Sequence, residues 1–139
     1  MPAKKLVTVS GGFDPIHMGH VRMILEAGSL GDVIIIANSD AWLMRKKGYV
    51  FMPYEERQEI LYALKGVVDV VEALDDDDTV CKSLEKLRPD IFANGGDRKE
   101  GNVPEYKLCE KLNIKMMFGI GGRDKPQSSS WLVDKLRKE

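Results

Sequence analysis

Short runs of β-branched and apolar residues alternate along the chain with stretches in which apolar residues recur every three or four positions. The runs Leu6–Ser10, Val33–Ala37, Val68–Val71, Ile91–Asn94 and Lys115–Gly119, mostly bounded by Gly, Asp or Pro, predict five strands. The helical spacing predicts helices over Gly19–Ser29, Tyr54–Leu64, Val80–Arg88, Glu105–Leu112 and Ser129–Arg137, with a short helical segment after the second strand. In Tyr54–Leu64 the apolar Ile60, Leu61 and Leu64 share a face, and Glu55, Glu56, Arg57 and Glu59 load the first turns with mostly acidic charge. The strands are apolar almost throughout, so both their faces should be buried, as in a parallel sheet covered by helices on two sides. Crossovers between parallel strands are right-handed. The alternation therefore predicts an α/β fold, a single domain over 1–139 with a doubly wound five-stranded parallel sheet of order 3-2-1-4-5.

Composition agrees with one globular domain: 139 residues, 43% hydrophobic and 31% charged. The 21 Lys and Arg against 22 Asp and Glu give a formal charge of −1, so no global positive field exists to hold a nucleic acid, and an anionic partner must be caught locally. No apolar run approaches the roughly 20 residues of a membrane span. The first residues lack a signal-peptide core, and the expected location is cytoplasmic. Cys81 and Cys109 fall in separate helical segments and form no Cys-x-x-Cys pair, and both are expected as core thiols. The acidic run Asp75–Asp78 is expected as a solvated loop.

The chemistry concentrates between the first strand and the first helix, in Gly11-Gly12-Phe13-Asp14-Pro15-Ile16-His17-Met18-Gly19-His20. In an open α/β sheet, ligands bind outside the carboxyl ends of the strands. Gly11 and Gly12 let the backbone pass close to a ligand, and a helix N-terminus offers free N–H groups and partial positive charge to a phosphate. His17 and His20, three apart at that helix start, can face one ligand, with Gly19 keeping the approach open. They are the 2 histidines of the chain, and a metal would need further ligands from elsewhere, so phosphate contact is the preferred reading and no metal site is expected. Asp14 is expected to hydrogen-bond backbone N–H groups ahead of the helix.

Gly12-Phe13-Asp14 followed by His17-Met18-Gly19-His20 resembles the signature of the cytidylyltransferase-like nucleotidyltransferases, which have Rossmann-like folds. Asn38-Ser39-Asp40, Lys46-Lys47-Gly48, Glu55-Glu56-Arg57 and Gly95-Gly96-Asp97 follow in the order seen in bacterial heptose 1-phosphate adenylyltransferases. Arg123-Asp124-Lys125-Pro126-Gln127-Ser128-Ser129-Ser130 is similar to the Arg-Thr-Glu-Gly-Ile-Ser-Thr-Thr motif of glycerol-3-phosphate cytidylyltransferases: Arg123 and Ser128 match, Ser129 and Ser130 keep the hydroxyls of the two threonines, and the middle from Asp124 and Lys125 onward departs. The resemblance implies transfer of AMP or CMP from ATP or CTP, with Mg²⁺, to a small phosphorylated sugar or polyol, and release of pyrophosphate. It implies catalytic roles for His17, His20, Lys46 and Lys47, an acceptor-phosphate contact for at least one of the two lysines, Lys46 being assigned to it, and nucleotide contacts for Gly12, Phe13, Gly19, Gly95, Asp97, Arg123, Ser128, Ser129 and Ser130. The serine triplet also suits an N-cap for the last helix. For Arg57 two readings stand: an acceptor contact, or an exposed ion pair with Glu55 or Glu56. An FAD-synthetase-like acceptor and a nucleotide-binding module without catalysis are the alternatives. The crowd of Trp42, Leu43, Met44, Tyr49, Val50, Phe51, Met52 and Tyr54 after the second strand, together with the resemblance, suggests a homodimer.

Overall fold

The computed structural model describes residues 4–75, 77, 79–95, 104–121 and 132–135. Ten elements follow one another: β1 (Leu6–Gly11), α1 (Met18–Gly28), β2 (Asp32–Ala37), α2 (Asp40–Lys47), α3 (Tyr54–Tyr62), β3 (Val67–Glu72), α4 (Cys81–Leu87), β4 (Ile91–Gly95), α5 (Tyr106–Lys111) and β5 (Lys115–Ile120). The strands form one parallel sheet in the order β3-β2-β1-β4-β5, the order expected from the alternation. β1 lies in register with β2 from Leu6 opposite Asp32 to Gly11 opposite Ala37, and meets β4 at Val7–Ile91 and Thr8–Phe92.

Side-chain alternation within the strands builds two cores. Val7, Val9, Val33, Ile35 and Ala37 cluster with Ile24 and Ala27 of α1 and Leu61 of α3. Ile36 and Phe92 point the other way and cluster with Val80, Leu84, Cys109 and Ile114 around α4 and α5. Each such side chain, fully buried, stabilises the fold by about 1.5 to 3 kcal/mol before entropy is counted. Because α1 and α3 cover one face and α4 and α5 the other, the winding reverses between β1 and β4, which opens a crevice at their carboxyl ends.

Three local expectations are corrected. Cys109 is buried, but Cys81 is only half-buried, so one thiol rather than two belongs to the core. Asp75 is buried rather than solvated: its carboxylate accepts the N–H groups of Lys82 at 2.7 Å and Ser83 at 3.2 Å, holding the first turn of α4, whereas Asp77 is exposed as expected. The third helix ends at Tyr62, short of Leu64. Residues 132–135 are helical, and the rest of the predicted Ser129–Arg137 helix lies outside the described residues. Among the described residues, no helix is long and apolar enough to cross a membrane.

Candidate active site

β1 delivers the chain into the crevice at Gly11, and the backbone then turns sharply. Phe13 adopts a left-handed conformation, φ 54°, which costs a side-chain-bearing residue on the order of 1 to 2 kcal/mol. Its ring is 2% exposed and meets the His20 ring edge-on, 4.8 Å between centroids, which helps to offset that cost. A Cβ at Gly12 would stand 3.1 Å from Leu43 Cδ2, so this glycine serves the close approach of α2 as well as any approach to a ligand.

His17 is the N-cap of α1. Its Nδ1 accepts the Gly19 N–H at 3.1 Å, while the His17 N–H donates to His20 Nδ1 at 3.3 Å, a reciprocal pair in which imidazoles stand where a capping box has Ser and Glu. The rings stack, 3.8 Å between centroids at 21°. With both Nδ1 atoms accepting, the neutral imidazoles carry their protons on Nε2. The Gly19 amide, one of the N–H groups at the helix start, is engaged by His17 and is not free to meet a ligand. Burial drives the His20 pKa from 6.5 down to about 3, and a proton on the stacked His17, were it to bind one, and the charge of Lys47 push the same way. His20 is therefore a neutral donor at physiological pH.

α2 separates the two candidate lysines. Ser39 caps the helix, its Oγ accepting the Trp42 N–H at 3.1 Å, and Gly48 ends it at φ 80°. That start fixes the rotation of everything after it. Leu43 is fully buried, and Lys47, four residues on along the same stripe, brings its charge to bear on His20. Lys46 falls on the stripe of Trp42 and is exposed.

The far side of the crevice is set by close backbone contacts. A Cβ at Gly95, the last residue of β4, would lie 2.8 Å from Met23 Sδ, and one at Gly121 (φ 85°) would lie 2.8 Å from Met23 Cα and N. The chain thus leaves β4 and β5 against α1, one turn beyond His20. Asp97, Arg123, Ser128, Ser129 and Ser130 lie outside the described residues.

A stacked histidine pair and a lysine are gathered where a 3-2-1-4-5 sheet reverses its winding, and residues 8–121 match the cytidylyltransferase-like family. The chain belongs to that family. It is by family a nucleotidyltransferase. It is 42% identical over 138 residues to the bifunctional protein HldE of Citrifermentans bemidjiense, an alignment covering 96% of this chain and 27% of that protein. It is 37% identical over 108 residues to the FAD synthase of Ferroglobus placidus, covering 78% of this chain and 68% of that one. The chain therefore spans little more than a quarter of the HldE proteins it matches. Among solved structures, the lipopolysaccharide core biosynthesis protein of Thermoplasma volcanium superposes with a TM-score of 0.65 at 22% identity, over 91% of this chain and 100% of that one. A putative nicotinate-nucleotide adenylyltransferase of Vibrio parahaemolyticus gives 0.64 at 16%, over 97% and 88%. At those identities the two structures support the fold.

In this nucleotidyltransferase domain Arg57 does neither thing expected of it. It is fully buried, makes no exposed pair with Glu55 or Glu56, and does not reach out to an acceptor. Its Nε donates to the Met52 carbonyl at 2.9 Å, one terminal nitrogen to the carbonyls of Gly12 and Asn38, both at 2.7 Å, and the other to Asp40 Oδ1 at 2.8 Å. One guanidinium thus ties together the glycine turn, the end of β2, the start of α2 and the loop before α3. Asp14, also fully buried, reaches past its own turn: it accepts the N–H of Phe51 at 2.7 Å and that of Met52. The loop following the lysines is fastened from both sides. Most of the aromatic and apolar crowd there is sheltered: Leu43 is buried, Tyr54 packs on the core, and Met44 (54%) and Phe51 (49%) are the exposed members.

Proposed function

We propose that this domain transfers a nucleoside monophosphate, AMP or CMP, from its triphosphate to the phosphate of a small phosphorylated sugar or polyol, most like a heptose 1-phosphate adenylyltransferase. The observation that carries the reading is the stacked His17–His20 pair, whose Nδ1 atoms both accept backbone N–H groups, with the Lys47 charge beside it. An acceptor phosphate oxygen attacks the α-phosphorus, the bond to the bridging oxygen breaks, and pyrophosphate departs with the electron pair. The acceptor is already an oxyanion, so no protein nucleophile or base is needed, and alignment and charge stabilisation are what the protein supplies. Neutral imidazoles suit that task, since their Nε2–H groups strengthen as donors when charge moves onto the phosphate oxygens, with no proton transferred.

Mg²⁺ enters this reading as part of the nucleotide substrate. Among the described residues, no group of three or more His, Cys, Asp or Glu is placed to hold a metal, and the Asp14 carboxylate is occupied by loop amides. Phosphate oxygens suit a cation that keeps several waters and arrives with its ligand. Gly12, Phe13, Gly19 and Gly95 shape the nucleotide side, and the resemblance assigns Asp97, Arg123, Ser128, Ser129 and Ser130 to the same nucleotide. Exposed Met44 and Phe51, beside the lysines, support a homodimer, which light scattering tests: a particle of monomer mass at micromolar concentration refutes it.

The deciding experiment measures pyrophosphate release from the four nucleoside triphosphates with heptose 1-phosphate, glycerol 3-phosphate and FMN. ATP or CTP with a sugar or polyol phosphate is the expected pair, and His17→Ala and His20→Ala should each lower kcat by about 100- to 1000-fold with an unchanged circular dichroism spectrum. Turnover with FMN alone would favour the FAD-synthase alternative, which the Ferroglobus placidus relative motivates. Triphosphate binding without pyrophosphate release from any pair would leave a nucleotide-binding module.

A further inference from the structure

Trp42 places its side chain beside the glycine turn, and that side chain carries one hydrogen bond of its own. Its backbone N–H donates to the Ser39 cap, and its indole Nε1–H donates at 3.1 Å to the main-chain oxygen of Asp77, in the connection between β3 and α4. The opposite edge of the ring faces the glycine turn, where a Cβ on Gly12 would lie 4.0 Å from Trp42 Cζ3. The indole therefore spans from the turn after β1 to the loop after β3, over the carboxyl end of β2, which lies between them in the sheet.

The residue is only half-buried and belongs to neither hydrophobic cluster. A large apolar ring left partly open to water, yet hydrogen-bonded at one edge and in van der Waals reach of the glycine turn at the other, is preorganised to receive a ring-shaped partner at little entropic cost. Exposed Lys46 follows one helical turn later on the same stripe, and Lys47 on the adjoining stripe turns to the histidines. The ring and the two cations thus share the helix that follows the carboxyl end of β2, on the opposite side of β1 from β4 and β5.

The geometry points to Trp42 as the platform on which the body of the acceptor lies while its phosphate meets the lysines, so that the domain selects phosphomonoesters with a cyclic body over acyclic polyol phosphates. The inference rests on the nucleotidyl-transfer reading above and narrows its acceptor. The cyclic body has two sources, a pyranose ring or a fused aromatic ring system, and heptose 1-phosphate and FMN separate them, with glycerol 3-phosphate as the acyclic comparison.

Wild-type protein, Trp42→Ala and Trp42→Phe are compared for KM of each acceptor and of the triphosphate, with circular dichroism and urea denaturation to establish folding. Trp42→Ala should raise KM for the cyclic acceptor by about tenfold, the magnitude of a lost ring contact, while the triphosphate KM stays within about twofold. Trp42→Phe, which keeps a ring but loses the bond to Asp77, should fall between. An unchanged acceptor KM in Trp42→Ala, a parallel rise in both KM values, or a wild-type preference for glycerol 3-phosphate overturns the inference. If wild-type protein releases no pyrophosphate with any acceptor, the transfer reading fails by itself. Calorimetric titration of heptose 1-phosphate and FMN into wild type and Trp42→Ala then decides the platform separately: weaker binding to the variant supports it, and equal binding, or none to either protein, overturns it.

Discussion

Removing the Arg57 guanidinium should cost far more than removing its acidic partner, and the ratio of the two losses tests what the residue does. Arg57 is fully buried, whereas the Asp40 side chain paired with it is 46% exposed. A pair with one partner that exposed contributes about 0 to 1 kcal/mol, because solvent screens the charge. The other three hydrogen bonds run to the carbonyls of Gly12, Asn38 and Met52, at 2.7, 2.7 and 2.9 Å. Arg57→Met keeps the apolar stem but leaves those oxygens without their donors, and each buried acceptor left unsatisfied costs about 1 to 3 kcal/mol, so the three together should cost at least about 3 kcal/mol. Set against the roughly 5 to 15 kcal/mol that keeps a domain folded, the loss should move the urea midpoint far down while leaving a measurable transition. Arg57→Lys, whose single ammonium cannot span all four acceptors, should fall between, and Asp40→Ala should stay within about 1 kcal/mol of wild type. Equal losses for Arg57→Met and Asp40→Ala would show that the ion pair, not the carbonyl clamp, is the working interaction, and would refute the assignment.

Two further outcomes are expected. His20 has a pKa of about 3 in the folded chain against 6.5 for an unperturbed histidine, so below pH 6.5 the unfolded chain takes up a proton that the folded chain refuses, and stability should fall with pH by up to about 1.4 kcal/mol per unit. Above pH 6.5 both forms are neutral and the contribution vanishes, so urea denaturation at pH 7, 6 and 5 should show wild type losing stability relative to His20→Gln, and parallel curves would contradict the buried neutral imidazole. Lys47→Ala should lower kcat at saturating substrates, whereas Lys46→Ala should act mainly on the acceptor KM; steady-state kinetics giving the reverse would show that the two stripes of α2 are misassigned.

The sheet order was readable because it follows from alternation and handedness, which tolerate errors of a residue or two at element ends. The histidine pair was readable because both residues, and the glycines that admit them, lie within ten consecutive positions. Arg57 was not. It stands three, four and seven residues before Ile60, Leu61 and Leu64, on the apolar stripe of α3, and that spacing was the available signal. Its charge argued for solvent, and its acceptors are carbonyls of Gly12, Asn38 and Met52, which no side-chain pattern announces. Asp14 escaped for the same reason, since its partners are amides 37 and 38 residues away. The lysine register needed a helical phase, and this depends on where α2 starts. The Ser39 cap, once seen, turns Leu43 and Lys47 inward together and leaves Lys46 beside Trp42.

Arg57 and Asp14 both act on the main chain, and this bears on how the proposed site can work. The turn holding the histidines contains a left-handed Phe13, a conformation that persists only if its surroundings enforce it. Arg57 holds the Gly12 carbonyl immediately before it, Leu43 abuts Gly12, and Asp14 immediately after it grips the amides of Phe51 and Met52. The strained residue is thus clamped on either side, and the imidazoles that follow are fixed by each other and by the amides of His17 and Gly19. None of these contacts draws on a ligand. Donors aimed in advance spend no free energy on reorganisation when charge develops, and that is where electrostatic catalysis obtains most of its effect. On the proposed mechanism, a buried arginine with no view of the substrate therefore contributes to the rate as well as to the fold, because it holds in place the turn that carries both histidines.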